Sequence, residues 1–176
     1  MLLEWGSLRR EEALALQPIL IIGYGNTLRG DDGFGPLAAR LLEERQIPGL
    51  EIIISHQLNP ELSASLAEAR FAVFLDATDG SKPGALAVAA VEPRDIGPSG
   101  ATHNFEPGTL LALSKAVYGR APAAALITAS ARSFEHGEEI SAEVRAAAIR
   151  AAEAIASLAA SGQLACETLS EALRRE

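Results

Sequence analysis

The chain has 176 residues, 48% apolar and 22% charged, with 15 Lys and Arg against 23 Asp and Glu for a net charge of −8. That length suits one domain with one core, and the composition excludes general disorder and a membrane channel. The acidic balance disfavours partners gripped through phosphates, so nucleic acid and anionic membrane surfaces are set aside.

Residues 1–17 mix Glu4, Arg9, Arg10, Glu11 and Glu12 without an apolar run of signal-peptide length, and read as an N-terminal extension ahead of a single domain over 18–176. The run Pro18 to Ile22 falls far short of the roughly 20 residues that span a bilayer. It is β-branched and apolar throughout, the pattern of a strand buried on both faces. Phe34 to Gln46 carries Leu37, Ala38, Leu41 and Leu42 at helical spacing and stops at Pro48-Gly49. A second strand follows over Leu50 to Ser55, then a helix opened by Pro60 with Leu62, Leu66 and Ala69 on one face, then a third strand from Phe71 to Leu75 running into Asp76. This alternation predicts a layered α/β fold with a mostly parallel sheet. Ala85 to Val91 follows too closely for a helical crossover and is expected antiparallel at an edge. Glu92 to Thr102 reads as loop, Pro107 to Tyr118 as helix, Ala124 to Ala129 as strand, and Ser141 to Ala160 as an Ala-rich helix capped by Ser141. Gln163 to Glu176 is expected to form a last helix beyond Gly162.

Ligands of an open α/β sheet gather at the carboxyl ends of its strands. Here those ends carry Gly23 to Gly35 with Asp31 and Asp32, then Asp76 to Gly80, with Thr102-His103-Asn104 in a later loop. A dinucleotide fingerprint fails because Leu28 stands where a small residue is needed. A phosphate loop fails because Asp31 replaces the lysine after Gly30, so no nucleotide cofactor is expected. Asp32, Asp76 and His103 would offer a metal two hard oxygens and one imidazole, with positions left open. Singly, each has a plainer reading: Asp31 or Asp32 as cap of the helix at Phe34, Asp76 as turn former, His103 as a solvated loop residue. The lone Cys166 excludes an intramolecular disulfide and a Cys-rich zinc site, and points to a reducing, cytoplasmic setting.

The run GYGNTLRGDDGFGP resembles the signature of the nickel-iron hydrogenase maturation endopeptidases, a Gly-x-Gly-Asn turn followed by two acids and a glycine. FLDATDGSKPG and ATHNF resemble that family's third strand and histidine loop. The resemblance spans about 18–160. It implies a twisted five-stranded sheet in a three-layer α/β/α fold, with 18–176 as the catalytic domain. It also implies catalytic and metal-binding roles for Asp32, Asp76 and His103. The implied activity is removal of a C-terminal extension from the hydrogenase large-subunit precursor after nickel insertion, with the substrate-borne nickel as recognition element. A monomer is expected. Two routes to amide cleavage are open: a metal-polarised carbonyl or a water activated by a carboxylate. Some relatives carry Glu where this chain has Asp32. The segments His56 to Leu62 and Phe134 to Glu138 resemble one branch of the family, and His56 is a candidate to line the same cleft. A nickel-binding chaperone without peptidase activity and a nucleotide-binding α/β enzyme are the competing functions.

Overall fold

The computed structural model describes residues 17–94, 105–137 and 139–174. Strand β1 (Ile19–Tyr24) forms on the expected apolar run and is buried from Ile19 to Gly23. It pairs in parallel with β2 (Leu50–Ser55) on one side and β3 (Phe71–Asp79) on the other. Strand β4 (Leu86–Val91) is the antiparallel edge, paired to β5 (Ala123–Ala131), which is itself parallel to β3. The order β2-β1-β3-β5-β4 is the five-stranded, mostly parallel sheet implied by the resemblance.

Among the described residues five helices cover the sheet: α1 (Phe34–Glu43), α2 (Leu62–Glu68), α3 (Pro107–Tyr118), α4 (Ala142–Ala160) and α5 (Cys166–Arg174). Successive strand residues point to opposite faces. Ile19, Ile21, Val73, Leu75 and Ile127 therefore meet α1, α4 and α5 in one core, while Leu20, Ile22 and Phe74 meet Leu62 and Leu66 of α2 and Leu110 and Leu111 of α3 in another. The result is three layers. Among the described residues, no helix is long and apolar enough to cross a membrane.

Several boundaries differ from the sequence reading. Helix α1 stops at Glu43 because the chain turns off through Gln46, whose φ is 49°. The last helix begins at Cys166 rather than at Gln163. The third strand does not end at Leu75, where its pairing with β1 stops; it continues to Asp79, paired with β5 alone. Asp76 is therefore a strand residue opposite Thr128, not a turn former.

Gly35 lets the first turn of α1 rest directly on the sheet. A Cβ there would overlap the carbonyl oxygens of Leu75 and Tyr24. Gly35→Ala is expected to cost about 1–3 kcal/mol as an overpacked contact, read as a lower urea midpoint at unchanged slope.

Candidate active site

The chain leaves β1 for β2 on one side and returns to β3 on the other, so the sheet has its switch point between β1 and β3. Such a reversal opens a crevice at the carboxyl ends of the two strands. A cleft of about 540 Å³ lies there, lined among others by Tyr24 of β1, Asp76 of β3, Asn26, Arg29 and Asp32 of the loop after β1, and His56 just after β2.

Period-two alternation sends Leu20, Ile22 and Tyr24 to the same face as Phe74 and Asp76. The apolar members fill the core, and Tyr24 and Asp76 surface at its upper rim. Burial pushes the Asp76 carboxyl up to about 6, and the charge of Asp32 adds to the rise; the Tyr24 hydroxyl and the Ala77 N–H, both bonded to it, act in the opposite sense. Burial, followed by the Asp76 charge, holds the Tyr24 phenol far above its usual range. Tyr24 is a cleft residue that the sequence reading passed over; its signal was its place two residues beyond Ile22 on a strand facing Asp76.

Asp32 reaches the cleft through a different device. The backbone after β1 folds through Gly25, whose φ is 144° and whose added Cβ would overlap the Asp32 carbonyl oxygen. It then makes a short 3-10 turn over Gly30–Gly33. Asp32 Oδ2 accepts the Asn26 N–H at 2.9 Å, and Asn26 Oδ1 accepts the Leu28 N–H at 2.9 Å, so the loop closes on its own carboxylate.

Neither acid caps α1, whose N-cap is Gly33 without a side-chain bond. The neighbour Asp31 points away from the cleft and is 2% exposed. Its carboxylate accepts the N–H groups of Arg132 and Ser141, each at 2.7 Å, and the Ser141 hydroxyl at 3.0 Å. Ser141 Oγ in turn accepts the Val144 N–H at 3.4 Å and caps α4 as expected. Burial alone would raise the Asp31 carboxyl; bonds from Ser141, Arg132 and Ser133 outweigh it and hold the group below the usual carboxylate range. The adjacent acids thus divide their work. One ties the loop to β5 and α4, and the other faces the cleft.

His56 is exposed and lines the cleft, as its position at the end of β2 implied. His103 lies outside the described residues, as does Glu138. The next residues after that loop, Phe105 and Glu106, line the cleft. Among the described residues no group of three His, Cys, Asp or Glu side chains is placed to hold a metal ion; Asp32 and Asp76 are two oxygen donors sharing one cleft. Cys166 lines a separate cavity with Phe71 and Ala123, the first residues of β3 and β5, at the other end of the sheet. Burial first, then Glu167, pushes its thiol up from the ordinary value.

No protein-family model matches the sequence, and a search of curated proteins finds no match. Solved structures do match. The hydrogenase maturation protease HycI from Thermococcus kodakarensis aligns over 85% of this chain and 97% of its own, with 29% identity and a TM-score of 0.64. The hydrogenase 2 maturation peptidase from Thaumarchaeota archaeon SCGC_AB-539-E09 aligns over 84% and 100%, with 27% identity and a TM-score of 0.59. The Escherichia coli hydrogenase maturating endopeptidase HybD aligns over 82% and 94%, with 25% identity and a TM-score of 0.64. With a shared fold over nearly their full length, and a cleft at the switch point lined by Asp32 and Asp76, the chain is similar to the nickel-iron hydrogenase maturation proteases.

Proposed function

We propose that this protein removes the C-terminal extension of a nickel-iron hydrogenase large-subunit precursor once nickel is in place, in the reducing cytoplasm. The observation that supports this most is that Asp32 and Asp76, far apart in sequence, line one cleft at the carboxyl ends of β1 and β3. Asp32 retains an oxygen beyond the one bonded to Asn26. Asp76 is a desolvated carboxylate beside a second negative charge, an arrangement that an arriving cation relieves. The nickel is substrate, carried by the precursor. Asp32 and Asp76, with His103 assigned as the imidazole donor on the family resemblance, take its open coordination positions.

Gripping the metal fixes the neighbouring peptide against the cleft, so recognition and orientation are one event. The bound cation supplies Lewis acidity toward the scissile carbonyl. The chain itself supplies the two carboxylates and the Tyr24 hydroxyl that orients one of them.

The deciding experiment incubates the protein with nickel-loaded and with metal-free precursor and follows the mass of each. The nickel-loaded form is expected to lose its extension and the metal-free form to stay intact. Equal trimming of both, or of neither, overturns the reading. Tight binding of the loaded form without trimming instead supports a nickel-binding chaperone.

A further inference from the structure

The cleft has a cation that the metal chemistry does not use. Arg29 lines it together with Asp32, Asp76, Glu106 and His56. The fold fixes Arg29 from several directions. Its N–H donates to the Asn26 carbonyl at 2.9 Å, Gly30 N–H donates to the Gly137 carbonyl at 2.7 Å, and Gly137 N–H donates to the Leu28 carbonyl at 3.0 Å. Its side-chain Nε donates to the Phe134 carbonyl at 3.1 Å. That single bond orients the guanidinium plane and leaves both terminal NH2 groups for another acceptor.

Among the described residues no acid is ion-paired with it, and Glu106 is paired instead with Arg94 at 3.3 Å. A planar fork of donors is suited to peptide carbonyls and carboxylates.

We infer that Arg29 is the specificity-determining residue of this cleft, binding oxygen acceptors of the precursor's C-terminal peptide as that peptide lies across Asp32 and Asp76. The inference rests on the proposed function. It also gives the segment Phe134 to Gly137 a purpose: its backbone holds the arginine in place.

The test is steady-state trimming of the nickel-loaded precursor by wild type, Arg29→Ala and Arg29→Lys. Arg29→Ala is expected to raise KM about tenfold or more with a much smaller change in kcat, and Arg29→Lys to recover only part of the loss. If the acceptor is a carboxylate, raising salt from about 0.05 to 0.5 M weakens wild type more than Arg29→Ala. If it is a main-chain carbonyl, salt affects both alike and the KM difference persists. Equal KM values for wild type and Arg29→Ala, or a fall confined to kcat, overturn this inference alone. A wild type that trims nothing overturns the functional reading and this inference with it.

Discussion

Asp76→Asn is expected to abolish trimming while making the metal-free protein more stable. Loss of groups that merely orient a metal ligand costs about 10–100-fold, so loss of a ligand itself is expected to cost more than about 100-fold in trimming of the nickel-loaded precursor. The stability gain has a separate origin. In the folded chain burial raises the Asp76 carboxyl to about 6, so ionising it there costs free energy that the unfolded chain does not incur. Below the ordinary carboxylate value of about 3.9 the group is protonated in both states, and Asp and Asn behave alike. Between that value and about 6 the folded wild type holds a proton that the unfolded chain has released, and its stability falls as pH rises. Above about 6 the deficit is constant, about 3 kcal/mol. Urea titrations of chelator-treated wild type and variant between pH 4 and 8 check this. A variant that is less stable at pH 7 contradicts the desolvated-carboxylate account, and one that trims at the wild-type rate removes Asp76 from the site.

Asp31→Asn is expected to do the reverse to stability. The amide keeps the size of the carboxylate but replaces one acceptor oxygen with a donor, in a pocket that presents the N–H groups of Arg132 and Ser141 and the Ser141 hydroxyl. Bonds to a buried charge are strong ones, and the loss is expected to be about 3 kcal/mol, or roughly 6–12 °C in Tm for a chain of this size. Here the folded carboxyl lies below its unfolded value. Its contribution is fully present above about pH 4 and is lost as pH falls through the folded value. The gap between wild type and variant should therefore narrow in acid. A pH-independent gap, or none, would mean that the carboxylate's charge is not what holds the loop. Trimming should fall with the loss of stability, because Asp32 rides on the same turn.

These two aspartates also mark how far the sequence could be read. Strands β1, β2 and β5 and helices α3 and α4 followed from apolar periodicity, with Ser141 placed correctly as cap, because their side chains fill a core with regular spacing. The end of β3 did not follow. Beyond Leu75 it has no β1 partner, and of Asp76 to Asp79 only Ala77 packs on the core, so the stretch looks like a loop. The pairing of Asp31 with residues 101 and 110 positions later left no local trace, which is why helix capping was the nearest reading. Asp32, Asp76 and His56 were legible as candidates from their places after strands; Tyr24, Arg29 and Glu106 join the cleft only through the folded chain.

The anchor of the first loop at Ser141 sets a schedule for synthesis. The Gly-Asn turn and both acids leave the ribosome early, but the residue that fixes them follows 110 positions later. At typical elongation rates that is a delay of about 5–20 s. Through it β4 also waits, since among the described residues its partner strand is β5. A nascent or truncated chain lacking residues beyond about 130 thus carries the acids without the geometry, and the cleft takes shape only once β5 and the start of α4 have been made.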